Sequence, residues 1–141
     1  EQVERAKLEG AKTHLDELGQ LNPTGQFVRP EIMTNVKNHF EIQQEETFGP
    51  FVTLTSVDDD DEAIKLINDS RYGLSCSIWS EDEEIAVNLA KRVEVGAILI
   101  NRCDYVDPKL PWRGEKDTGL GVALGPNCFD SFIKARGVCR G

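Results

Sequence analysis

The stretch LSCSIWSEDEEIAVNLAKRVEVGAILIN, from Leu74 to Asn101, decides the fold. Leu74, Cys76 and Ile78 alternate with Ser75, Ser77 and Trp79, the period of a strand whose two faces meet different surroundings. On that pattern Cys76 is a core thiol. Ser80 and Glu83 have the spacing of a capping box, and Ile85, Ala86, Leu89, Ala90 and Val93 form an apolar stripe before Gly96 closes the helix. Ala97-Ile98-Leu99-Ile100 is apolar without alternation, as expected of a strand covered on both faces.

Immediately upstream the pattern repeats. Phe51-Val52-Thr53-Leu54-Thr55-Ser56-Val57 is short and rich in β-branched and apolar residues, which marks a strand. Asp58-Asp59-Asp60-Asp61-Glu62 has the oxygens of a calcium loop but lacks alternating ligands, a central glycine and a distal glutamate. An N-cap with first-turn acids explains it better, on a helix that turns Ala63, Ile64 and Ile67 to one side and ends near Asn68-Asp69-Ser70. Strand, helix, strand, helix, strand from Phe51 to Asn101 predicts an α/β fold with an open, mostly parallel sheet and flanking helices.

Working further outward, Gln44-Glu45-Glu46-Thr47-Phe48-Gly49-Pro50 brings two carboxylates and a ring up against a Gly-Pro break. Pro50 disfavours the α region for Gly49, so a short helical turn starting near Asn38 or His39 ends there and the chain leaves extended. Glu46 and Phe48 then stand at an element edge, where a carboxylate can grip a hydroxyl beside a packed ring. The plainer reading is a solvated acidic helix end with one core phenylalanine. The segment before it is weakly signalled. Val3, Ala6 or Lys7, Leu8 and Ala11 suggest a helix interrupted by Gly10, residues 13–18 a short strand, residues 19–25 a surface loop, and residues 26–29 and 32–36 extended chain around Pro30.

Downstream of Asn101 the character changes. From Arg102 to Gly125 prolines and glycines alternate with charges over a span too long for an ordinary connection. Long loops at the carboxyl ends of buried strands are where α/β proteins build pockets, and Trp112 reads as a lid, a pocket wall or a core plug. Gly119-Leu120-Gly121 does not follow a strand directly, and position 124 is Leu, so the dinucleotide fingerprint fails. Phe129, Phe132 and Ile133 suggest a last helix and Val138 a short tail.

Composition narrows the class. One domain over residues 1–141 can bury a sizeable core, and no apolar run approaches the ~18 residues of a membrane span. The net charge of −9 disfavours nucleic acid and gives no basic membrane-binding helix. Cys76, Cys103, Cys128 and Cys139 form no Cys-x-x-Cys pair, and His14 and His39 are the only histidines, so no metal spacing is present. Reduced thiols in a cytoplasmic setting are expected. The chain opens on Glu1-Gln2-Val3 without an initiating methionine, which suggests a piece of something longer.

Four ordered blocks carry a resemblance. They are Glu45-Glu46-Thr47-Phe48-Gly49-Pro50, Asn68-Asp69-Ser70-Arg71-Tyr72-Gly73-Leu74, Gly96-Ala97-Ile98-Leu99-Ile100-Asn101, and the run from Pro111 to Gly119. In that order and spacing they resemble the C-terminal part of the NAD(P)-dependent aldehyde dehydrogenase superfamily, over nearly the whole chain. The resemblance implies an NAD or NADP cofactor, with Glu46 holding the nicotinamide ribose hydroxyls and Phe48 packing near the nicotinamide. It implies a small-molecule aldehyde substrate in a pocket drawn from Asn101, Asp104, Val106 and Trp112, and a homo-oligomeric parent. Trp112 and Arg113 replace the family's usual ring and first glycine, which implies a narrower and more charged funnel. The family's nucleophilic cysteine, general-base glutamate and Rossmann domain would lie in a missing N-terminal part, so no catalytic residue is assigned here. Cys103 lacks the nucleophile's setting. A stand-alone, non-catalytic domain for assembly or regulation is the alternative.

Overall fold

The computed structural model describes residues 1–15, 27–103 and 105–141. The expectations for residues 16–26, including the loop at 19–25, and for Asp104 lie outside the described residues. The chain divides into two compact units, Glu1–Ser70 and Arg71–Gly141.

In the first unit the order is α1 (Gln2–Leu8), β1 (Lys12–Thr13), β2 (Glu31–Thr34), α2 (Glu41–Gln44), β3 (Phe51–Thr53) and α3 (Asp60–Asn68). The sheet order is β1-β2-β3, with β1 antiparallel and β3 parallel to the central β2, Ile32 facing Val52. The core is Ala6, Ala11, Met33, Val36, Phe40 and Ile42, with Val3 and Phe51 packed against it. Gly10 ends α1 at φ +107, a left-handed conformation that a side chain would strain, and Ala11 then turns into the core. Leu8 does not join the helical stripe; it is 89% exposed, and Ala6 carries the buried face.

One buried group escaped the sequence reading. Glu31 is buried, and its Oε1 accepts from the backbone N–H groups of His14, Leu15 and Ile32 at 3.1, 3.2 and 3.2 Å. A carboxylate taken from water needs such donors, and these ones tie the β1 exit to β2.

The acidic run starts α3. The Asp59 carboxylate accepts from Glu62 N at 2.8 Å, and Glu62 reaches back to Asp58 N, also at 2.8 Å. Those are the reciprocal bonds of a capped N-terminus, with further acids in the first turn favoured by the helix dipole. Ile64 points inward as expected, whereas Ile67 stays largely exposed.

The second unit contains β4 (Tyr72–Gly73), β5 (Ser75–Ile78), α4 (Glu83–Ala90), β6 (Ala97–Ile100), β7 (Glu115–Lys116) and a 3-10 turn (Cys128–Phe132). β5 and β6 are parallel, Cys76 opposite Ile98 and Ser77 opposite Leu99, while β4 pairs antiparallel with β7. The fold is thus α/β with open sheets, as predicted, although the strand near Val52 belongs to one small sheet and those near Ser77 and Leu99 to another.

Several local expectations are corrected. The cap of α4 is Asp82, whose carboxylate accepts from Ile85 N at 3.0 Å; the Ser80 hydroxyl accepts from Asp82 N instead, forming the turn before the helix. The helix stops at Ala90, well short of Gly96. Ala97 to Ile100 are half-buried, not fully covered, because among the described residues β6 has a single strand neighbour. Cys76 is likewise half-buried on the inward side of β5, and Leu74 is exposed. The last aromatic residues form a short 3-10 turn, with Phe129 and Phe132 exposed, rather than an α-helix. No described helix is long and apolar enough to cross a membrane.

Candidate functional site

Two separate groups of side chains concentrate the chemistry, one in each unit. The first follows α2. That helix ends at Gln44, and Glu45 is already extended at φ −109, ψ 141. The segment is held from both ends. Thr47 Oγ1 donates to Gln2 Oε1 on α1 at 2.5 Å, and Glu31 N donates to Pro50 O at 2.9 Å at the entry of β3. Gln44 Nε2 donates to the carbonyls of Asn38 and Asp69 at 2.7 and 3.0 Å, which fixes the helix end itself.

Between those anchors Glu46 and Phe48 project outward. The Glu46 carboxylate is exposed and has no partner among the described residues. Phe48 is 94% exposed, so the reading as a core ring is wrong. A ring left in water costs roughly the 1.5–3 kcal/mol that burial would return, so this position is one that gains by being covered. A backbone anchored in this way, with an exposed acceptor and, two positions on, an exposed ring, can meet a ligand that carries hydroxyls and a flat face.

The second group surrounds β6. Arg102, Tyr105, Asp107, Leu110, Pro111 and Trp112 come back alongside the strand and, with Gly96 to Ile100, line an open cavity of about 360 Å³. The pocket therefore runs along the strand rather than only beyond its carboxyl end. The Arg102 guanidinium lies over the Tyr105 ring at 3.7 Å from the centroid, which stiffens that wall. Trp112 is half-buried and is held by a two-bond bridge to Ala123, at 2.7 Å for Trp112 N to Ala123 O and 2.8 Å for the reverse. The Arg113 guanidinium pairs with Glu115 at 3.1 Å.

The expected pocket residues separate on inspection. Trp112 lines the cavity; Asn101 and the exposed Val106 do not. Asn101 sits at φ +53, with its amide engaged on one residue: Oδ1 accepts from Ser80 N and Nδ2 donates to Ser80 O, both at 2.9 Å. Its role in the structure is to join the ends of β5 and β6. The cavity residues Tyr105 and Leu110 carried no motif, and only the loop's return to β6 brings them together.

The thiols differ in environment. Cys103 and Cys139 are exposed, Cys76 and Cys128 half-buried, and burial pushes the Cys76 thiol above its ordinary range. Because the thiolate is the reactive form, iodoacetamide near pH 8 is expected to label Cys103 and Cys139 about tenfold faster than Cys76, read by mass spectrometry of timed digests. Equal rates would mean that Cys76 is not sheltered.

Comparison with known proteins gives one answer. The aldehyde dehydrogenase family model matches residues 1–138. Geranial dehydrogenase of Castellaniella defragrans is 37% identical over 115 residues, covering 81% of this chain and 24% of that protein. A probable betaine aldehyde dehydrogenase of Schizosaccharomyces pombe is 31% identical over 134 residues, covering 95% and 27%. The solved structure of betaine aldehyde dehydrogenase from Staphylococcus aureus in complex with NAD+ aligns with a TM-score of 0.85 at 33% identity, covering 92% of this chain and 26% of that one. The chain thus spans about a quarter of the length of the curated relatives it matches. With the family model covering all but the last few residues and the fold agreeing, the chain belongs to the aldehyde dehydrogenase family.

Proposed function

We propose that this chain is the C-terminal part of the catalytic domain of an enzyme that oxidises an aldehyde to a carboxylic acid with NAD(P)+, through a thioester on a cysteine supplied by the rest of the parent polypeptide. The observation that carries the reading is the anchored turn after α2, with the Glu46 carboxylate unpartnered among the described residues and the bare Phe48 ring two positions further on. A ribose diol offers two hydroxyl donors and a nicotinamide offers a flat face, so the pair fits the cofactor. Glu46 would accept from the ribose hydroxyls, and Phe48 would pack beside the nicotinamide ring. When bound, NAD(P)+ supplies the hydride acceptor. The chain's part is then positioning: a charge-assisted acceptor contributes about 1.5 to 3 kcal/mol, and a fixed ring limits the nicotinamide's wandering.

In the second unit, Trp112, Leu110 and Tyr105 would form a water-excluding wall for the aldehyde's carbon chain. Support for NAD comes from the NAD+ complex of the Staphylococcus aureus relative; NADP remains within the same reading. The reading also includes a cytoplasmic, homo-oligomeric parent. Four unpaired thiols suit a reducing compartment, and the exposed rings of Phe129 and Phe132 suit cover by another polypeptide surface.

The test is NAD(P)H formation, followed by absorbance, with the full reading frame and a panel of aldehydes. The full-length protein should turn over, its Cys103→Ser variant should match it, and the 141-residue chain alone should be silent. Abolition by Cys103→Ser would place the nucleophile in this chain. A full-length protein inactive with every aldehyde would favour the assembly module instead.

A further inference from the structure

At Gly96, next to the first residue of β6, the backbone of Arg113 comes in close. A Cβ built there would stand 1.8 Å from the Arg113 carbonyl oxygen, 2.6 Å from its carbon and 3.1 Å from Cγ of the same residue. Two of those atoms are backbone, so no rotamer change removes the clash. Gly96 is not in a left-handed conformation; what its lack of a side chain provides is space. Gly96 N donates to Gly73 O at 3.1 Å, and Ala97 N to Leu74 O at 3.0 Å, so this end of β6 is tied to the end of β4 and the residue that leads into β5.

On the other side, the loop has little freedom of its own. Trp112 is bridged to Ala123, and a Cβ on Gly125, at φ +69, would meet Pro111 N at 2.9 Å. Arg113 follows Trp112 directly, so a displacement of the Arg113 backbone away from Gly96 is passed on to Trp112. Gly96 and Trp112 line the same cavity.

We propose that Gly96 is a specificity-determining positioning residue: its missing side chain sets how closely the Arg113 carbonyl approaches β6, and so how far Trp112 stands into the aldehyde cavity. The substrate class thereby selected is aldehydes whose carbon chain fills the gap between β6 and the indole. This rests on the reading of the cavity as the aldehyde site.

The experiment uses the full-length enzyme with a homologous series of straight-chain aldehydes. Gly96→Ala should lift the loop and change KM for long aldehydes relative to the shortest by about tenfold, leaving KM for NAD(P)+ unaltered. Trp112→Ala, which leaves the Gly96 contact intact, should also alter the dependence on chain length. A third readout is independent of turnover. In 5-fluorotryptophan-labelled protein, the 19F resonance identified as Trp112 by its loss in Trp112→Phe should move in Gly96→Ala, while that of Trp79 stays.

A wild-type enzyme without aldehyde oxidation overturns the functional reading, with the resonance shift still deciding the positioning claim. An active enzyme whose chain-length dependence survives both substitutions, or whose Trp112 resonance is unmoved by Gly96→Ala, overturns the inference alone. Should Gly96→Ala fail to fold, Trp112→Ala decides: unchanged chain-length dependence is fatal to the proposal.

Discussion

Replacing Glu46 with glutamine in the full-length protein is expected to weaken cofactor use or slow hydride transfer by roughly ten- to a hundredfold, the equivalent of losing charge-assisted hydrogen bonds of about 1.5 to 3 kcal/mol. The amide keeps size and shape, and the parent carboxylate is exposed and unpartnered among the described residues, so folding should be indifferent to the change. Glu45→Gln serves as the control. Glu45 caps the end of α2 through its backbone N–H, which donates to Glu41 O at 2.8 Å, and that bond survives the substitution. Phe48→Ala should also impair turnover, since removing a ring that is 94% exposed costs the fold little and can act only through what covers it. Steady-state kinetics of the three variants at matched thermal stability makes the comparison. If Glu45→Gln were the more damaging, the cofactor contact would belong to the neighbouring carboxylate.

Met33→Ala is expected to destabilise the first unit by about 2 to 5 kcal/mol, the range for emptying a packed position that cannot collapse. Met33 is 0% exposed, the largest fully buried side chain among the described residues, and lies on the central strand with Thr13 on one side and Thr53 on the other. The core around it is small, so the loss is a large fraction of what holds that unit together. Leu8→Ala provides the contrast. Leu8 was read as part of the same apolar face, but at 89% exposed it should cost less than about 0.5 kcal/mol. Hydrogen exchange of the β2 amides in the full-length protein separates the two; faster exchange in Leu8→Ala than in Met33→Ala would mean the core is centred elsewhere.

What could be read from the residues, and what could not, divides along physical lines. The extended exit at Gly49-Pro50 was legible because a proline restricts the residue before it, but α2 already ends at Gln44, with Glu45 extended, so the Gly-Pro pair is not what stops the helix. The helix α3 was legible because Asp59 and Glu62 leave a cap signature that no distant contact disturbs. The cap of α4 was missed by two positions because Ser80 and Asp82 are both good caps; Ser80 was already committed to the turn joined to Asn101. Gly96 was read as a helix terminator, when its use is to admit the carbonyl of a residue seventeen positions away. Nothing in its neighbours reports that approach. Leu8, Ile67, Ile85 and Phe129 are apolar at helical spacing yet exposed, because periodicity tells which face is to be covered and not what covers it.

The free edge of β6 has a practical consequence for handling the 141-residue chain by itself. Ala97-Ile98-Leu99-Ile100 is a short, uncharged, β-prone run with backbone groups on one side not matched by a strand among the described residues, and it lies beside an equally short β5. Such an edge templates addition of the same run from another molecule, the first step toward aggregation. The chain's charge of −9 opposes that step by repulsion between molecules, and repulsion at these separations fades as the screening length falls to about 3 Å in molar salt. Precipitation of the isolated chain should therefore come sooner in high salt than in low, and Ile98→Lys, which puts a charge in the middle of the run, should delay it.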